Sequence, residues 1–276
     1  MEAIQKCKDL ALKKRNILNR SLIQYVMRAA LAGVYIGFAL ILCFRVGEFF
    51  REANSPATYL VSGIFFGIAL VLIVYGEAEL FTGNTMFFTI STLHKETTIK
   101  DALRNLLACY SGNLIGALFF AFLISQAGVL DHLPLDHLLF QTAEKKIQAT
   151  TMQLFYKGIL CNWLVCLAIF IPMQMKDDMA KILSMILIVF IFFASGYEHS
   201  IANFVLFSLA LAVSHPDTIN IAGVVHNIIP VTLGNIVGGA LFMGALYTYL
   251  TSQKEDQVSE KRPMVYLFNK RKMLNK

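Results

Sequence analysis

Two apolar runs in this chain, 59–90 and 182–213, are too long for one straight membrane crossing, and both are interrupted by charge. A helix needs about 20 apolar residues to span a bilayer. The interruptions read Gly76-Glu77-Ala78-Glu79-Leu80-Phe81-Thr82-Gly83-Asn84 and Ser195-Gly196-Tyr197-Glu198-His199-Ser200-Ile201-Ala202-Asn203. An ionisable group at a helix centre in lipid costs roughly 3 kcal/mol or more, so it argues for function. Glycine and polar residues in mid-span predict helices that break and restart, which lipid tolerates only inside protein or against a cavity. The two segments together predict a transport site.

Four further runs, 25–43, 105–126, 154–173 and 228–249, complete six candidate spans. The chain is 57% hydrophobic and 15% charged, against about 25% charge in soluble domains, which excludes an ordinary soluble fold. Residues 1–22 are basic and amphipathic, and no cleavable leader is expected. Cys7, Cys43, Cys109, Cys161 and Cys166 follow no metal or redox spacing, so no disulfide, metal or other cofactor is expected. Eighteen basic residues fall in the termini and in the segments after spans two and four. Arg45, Arg51, Lys145 and Lys146 oppose them, with Arg28 and Lys157 left to snorkel in first turns. This asymmetry predicts a multi-pass protein of the cytoplasmic (inner) membrane with both termini cytoplasmic.

The chain also repeats. Gly112-Asn113-Leu114-Ile115-Gly116-Ala117 in span three matches Gly234-Asn235-Ile236-Val237-Gly238-Gly239 in span six, at similar distances after Glu79 and Glu198. Two three-helix units in tandem must be inverted relative to one another, because three is odd. Such repeats place the substrate path at their interface. The expected fold is all-α and integral to the membrane, with six helices and breaks in the second and fifth. Its divisions are an N-terminal segment, 1–22, a transmembrane domain, 23–252, and a basic tail, 253–276. Ile4, Leu10, Ile17 and Leu18 among basic residues predict that 1–22 lies along the membrane surface. The tail is expected to meet anionic lipid. Basic residues that follow topology and divide between the termini argue against nucleic-acid binding.

Four strings resemble the formate/nitrite transporter family: Glu79-Leu80-Phe81-Thr82-Gly83, the run from Gly158 to Ala168, the run from Ala194 to Asn203, and Val231-Thr232-Leu233-Gly234-Asn235. Phe155-Tyr156-Lys157-Gly158, Thr82-Gly83-Asn84-Thr85-Met86-Phe87 and Ala222-Gly223-Val224-Val225-His226-Asn227 are most similar to its nitrite branch. The resemblance implies an aquaporin-like protomer in a homopentamer, with one pore per protomer for nitrite or formate and a proton. It implies that His199 is the central pore histidine, held by Asn162 with Thr82 nearby. It makes Leu70 and Phe192 a cytoplasmic-side constriction, with Phe66 and Phe81 along the path. Lys146 becomes a vestibule lysine, although an ordinary surface lysine beside Lys145 reads equally well. By the same resemblance the N-terminal segment covers the inner mouth.

The residues have their own chemistry. His199 is the only one of six histidines inside an apolar span, and a neutral imidazole donates one hydrogen bond and accepts another. It could hydrogen-bond an anion, or protonate it so that a neutral acid crosses. Glu79 and Glu198 begin second half-helices, where free N–H groups and the helix dipole favour a carboxylate. They are expected to be structural caps, with direct substrate contact as the alternative. Asn203, Asn113 and Asn235 are expected to be structural at the same breaks. Glu77 stands where the family usually has a small residue, with Lys157 as its candidate partner. A water or polyol facilitator would carry Asn-Pro-Ala at both half-helix starts, and no such tripeptide occurs; an intramembrane enzyme would need a nucleophile or metal partner for His199, and the sequence has no His-Glu-x-x-His and no second mid-span histidine. A channel or proton-coupled carrier for small anions, not an enzyme, is the expected function. Nitrite is the first substrate, and formate or hydrosulfide the alternative.

Overall fold

The computed structural model describes residues 2–251, so the tail 253–276 lies outside the described residues. Among these, regular structure is entirely helical: α1 (Glu2–Arg20), α2 (Leu22–Glu52), α3 (Thr58–Phe66), α4 (Ile68–Tyr75), α5 (Phe81–Leu93), α6 (Ile99–Gln126), α7 (Leu138–Gln148), α8 (Thr151–Phe170), α9 (Asp178–Ala194), α10 (Ser200–Leu211) and α11 (Ile221–Val237). After α11 the chain continues helically to Thr251 through a π-helical stretch, Gly238–Ala245. Among the described residues, five helical stretches are long and apolar enough to cross a membrane: Leu22–Glu52, Thr58–Tyr75, Ile99–Gln126, Thr151–Gln174 and Ile221–Thr251. The remaining span is carried by α9 and α10 in two halves. Both expected breaks are present, since 76–80 and 195–199 leave the helix.

The repeat is α1–α6 against α7–α11. Small residues bring the partner helices of each unit together: α2 packs on α6, and α8 on α11. A Cβ on Gly116 would stand 1.9 Å from the Ala30 carbonyl oxygen, and one on Gly234 2.2 Å from that of Phe155. Backbones this close leave no room for a side chain, and such contact replaces the hydrophobic drive that lipid removes.

Each unit opens with an amphipathic helix that does not cross. Helix α1 buries Ala3, Ile4, Cys7, Ala11, Lys14 and Leu18, a stripe at helical spacing. Lys6 Nζ donates to the Met173 carbonyl, 2.6 Å, and Lys8 pairs with Glu96, 2.8 Å. Its counterpart α7 was not legible as a helix in the sequence. Glu48 anchors it, accepting from the Leu138 N–H at 2.9 Å while paired with Arg51. His137 caps α7 by accepting the Leu139 N–H through Nδ1, 3.1 Å. All five cysteines are buried and unpaired.

Substituting Val for Gly116 or Gly234 should cost about 3 kcal/mol by overpacking a backbone contact. Thermal unfolding in mild detergent should show a clear fall in Tm for each. An unchanged Tm would mean the helices are not held by these contacts.

Candidate functional site

A broken helix inside lipid exposes peptide groups that have no water to turn to. Two asparagines meet that demand in the same way. Asn113 Nδ2 donates to the carbonyls of Ala29, 2.7 Å, and Glu79, 2.8 Å, while its Oδ1 accepts the Phe81 N–H at 3.0 Å. Asn235 Nδ2 donates to Gly158 O, 2.8 Å, and Glu198 O, 2.9 Å, and Oδ1 accepts the Ser200 N–H at 2.8 Å. The Glu79 N–H donates to Arg28 O and the Glu198 N–H to Lys157 O. An asparagine amide offers two donors and a separate acceptor on one short stem, which is what each break requires.

The two glutamates beside these breaks are ion-paired. Glu79 accepts from Lys14 Nζ, 2.6 Å, Tyr25 OH, 3.3 Å, and Asn84 Nδ2, 3.3 Å. Glu198 accepts from Lys146 Nζ, 2.8 Å, and Asn203 Nδ2, 2.7 Å, which also donates to Asn227 Oδ1. The capping expectation needs correction, because neither carboxylate takes a backbone N–H. The cap residue of α5 is Leu80 and that of α10 is His199, whose own Nδ1 accepts the Ala202 N–H at 3.0 Å. A lysine from α1 or α7 neutralises each glutamate more fully than a partial dipole could.

That cap fixes the tautomer of His199. With Nδ1 accepting, the proton sits on Nε2, which lies 3.0 Å from Thr82 Oγ1 and donates to it. The ring stacks on Phe192, centroids 6.1 Å apart. Asn162 does not touch the histidine as expected. Its Nδ2 donates to Thr82 O, Thr85 Oγ1 and Asn235 O, so it ties the first break to the second repeat.

Three cavities among the described residues share walls in series. On the α7 side one of about 310 Å³ is lined by Lys145, Lys146, Lys157 and Glu198, with Phe66, Phe192 and His199 at its apolar end. On the α1 side one of about 210 Å³ is lined by Lys13, Lys14, Arg28, Glu77, Glu79 and Leu80. Between them lies a space of about 20 Å³ walled by Ile36, Phe66, Leu70, Leu80, Phe192 and other apolar groups, with His199 its one polar neighbour. That is room for about one water. Both vestibules carry more lysine and arginine than carboxylate, which raises the local concentration of anions.

The sequence pattern of the formate/nitrite transporter family matches residues 1–249. The chain belongs to that family. It is 46% identical over 246 residues to the uncharacterised transporter YwcJ of Bacillus subtilis, covering 89% of this chain and 96% of that one. It is 38% identical over 261 residues to the nitrite transporter NirC of Escherichia coli, covering 94% and 96%. Among solved structures, a family ion channel superimposes with a TM-score of 0.85 at 38% identity, covering 90% of this chain and 98% of that one. A pentameric formate channel with formate bound gives 0.71 at 28% identity, covering 84% and 98%.

Within this family member, Leu70 and Phe192 do not form one constriction on a single side. Both line the central space, and Phe192 with Phe66, centroids 6.0 Å apart, also closes the α7-side vestibule. Phe81 lines none of the three cavities and packs on Tyr110 at 4.8 Å. Leu80, one residue earlier, separates the central space from the α1-side vestibule. The half-turn at the break decides which of the two faces the path. Glu77 meets Arg28, 3.2 Å, and Lys13, 3.5 Å, rather than Lys157, which stands in the opposite vestibule. Lys14 escaped the sequence reading, yet a signal existed: it sits on the apolar stripe of Cys7, Ala11 and Leu18, where a lysine needs a buried carboxylate.

Lys14→Met should destabilise the protein by about 3 kcal/mol, because it strands a buried Glu79. Adding Glu79→Gln should recover part of that loss. Thermal unfolding of the single and double variants checks it, and strictly additive losses would mean the two groups are not coupled.

Proposed function

We propose that this family member conducts small monovalent anions, with nitrite as its everyday substrate, and that it assembles as a homopentamer with a separate pore in each protomer. The observation that carries the reading is the central space, apolar but for the Nε2–H of His199. A hydrated ion finds no replacement there for its water. A small anion that sheds water can take one hydrogen bond from His199, in exchange for the one the ring gives Thr82. The lysine-rich vestibules supply the anion to either mouth. Resemblance to the nitrite branch and the 38% identity to NirC support nitrite over formate, the ligand of the more distant pentameric channel. The charge asymmetry supports a cytoplasmic membrane with both termini inside.

Proton coupling through His199 has a structural condition. A second proton must go to Nδ1, which would then face the Ala202 N–H instead of accepting it. Protonation therefore opens the cap of α10; when Nε2 passes its proton to the anion, the cap closes only after Nδ1 has lost its own proton and Nε2 has taken another. Passage as the neutral acid lowers the cost of crossing the apolar space.

Purified protein in liposomes should take up both nitrite and formate within about tenfold of one another, since both are small, planar and bent, and ~1.4 kcal/mol of contact energy gives only that factor. Uptake of formate without nitrite would overturn the nitrite reading. His199→Asn should keep the cap and the Tm while removing the acceleration of nitrite uptake by an imposed proton gradient. His199→Phe should lose about 1 kcal/mol of stability with the cap. A His199→Asn variant as proton-responsive as the wild type would make the histidine structural.

A further inference from the structure

The two vestibules are built from matching parts with one exception. Lys13-Lys14 corresponds to Lys145-Lys146. Arg28 corresponds to Lys157, since each gives its carbonyl to the N–H of the paired glutamate. Two residues before those glutamates the chain takes a left-handed turn in both repeats. The second repeat uses Gly196, φ +67°, and the first uses Glu77, φ +52°. That conformation suits glycine and is strained for a side chain like glutamate. A strained residue kept where glycine would serve points to a use for its side chain.

Its position shows the use. The Glu77 carboxylate lies between Arg28 Nη1, 3.2 Å, and Lys13 Nζ, 3.5 Å, and is largely exposed on the α1-side vestibule. On the α7 side, Lys157 and Lys145 face their vestibule with no carboxylate partner among the described residues. Formate and nitrite are the same size and charge as a carboxylate head. We propose that Glu77 is a tethered competitor: its carboxylate occupies the anion site formed by Arg28 and Lys13, and a substrate anion arriving from the α1 side must displace it. The α1 mouth then binds substrate more weakly than the α7 mouth, where the equivalent cations stand open. A tethered group competes at a fixed local concentration, so it raises the half-saturating concentration at the α1 mouth by a constant factor, and the difference between the mouths fades at saturating anion.

This inference rests on reading the α1-side cavity as one mouth of an anion pore. Nitrite uptake into right-side-out and inside-out vesicles samples the two mouths separately. Glu77→Gln should lower the half-saturating nitrite concentration at the α1 face about threefold, the scale of an exposed ion pair, and leave the α7 face unchanged. Arg28→Gln should raise the α1-face value, and adding Glu77→Gln to it should change nothing further. If Glu77→Gln fails to fold, Glu77→Gly, which suits the backbone, carries the same test. Equal shifts at both faces, no shift at either, or additive effects of the two substitutions would overturn the competitor role. Vesicles of the wild-type protein that admit no nitrite from either face would instead overturn the pore reading itself.

Discussion

Everything near the pore depends on satisfying the peptide groups of two broken helices where no water is available. Asn113 and Asn235 do this from α6 and α11, each linking a break to the first spanning helix of its repeat, α2 or α8. Because the breaks are pinned by side chains rather than by solvent, the residues just after them are held in place. Thr82 and His199 lie in the first turns of α5 and at the cap of α10, and they meet at 3.0 Å. Without the asparagines that contact would be a matter of loop position.

The same geometry explains why charge can sit so close to an apolar constriction. Glu79 and Glu198 would oppose an anion if left bare. Lys14 and Lys146 cancel them, and they come from helices that lie on opposite faces of the molecule. What remains at each vestibule is a surplus of cations beside a small apolar space with one donor in it. The charges concentrate the anion, and the apolar walls exclude its hydration shell. In the proposed function, His199 replaces one of the lost water contacts.

Much of this was legible in the sequence. Six spans, two breaks and the repeated Gly-Asn strings follow from hydropathy and spacing, because lipid allows so few solutions for a backbone. The uses of individual side chains were less legible. Glu79 reads as a helix cap until α1 is folded back to bring Lys14 beside it. Phe81 reads as pore-lining until the turn at 76–80 points Leu80 inward instead. Asn162 reads as a partner of His199, yet it binds the backbone of the opposite break. Helix α7 was missed because its apolar face is too short to stand out.

The sequence by itself determined that the chain crosses a membrane six times, in two inverted units with a charged interruption in each. Those features are local: apolar length, glycine spacing and the cost of charge in lipid are written residue by residue. Only the tertiary structure decided which charges cancel, which side chains face the path, and that the two mouths differ at Glu77 and Gly196. Pairing across 65 residues, as between Lys14 and Glu79, depends on how helices pack, and no local pattern carries that information.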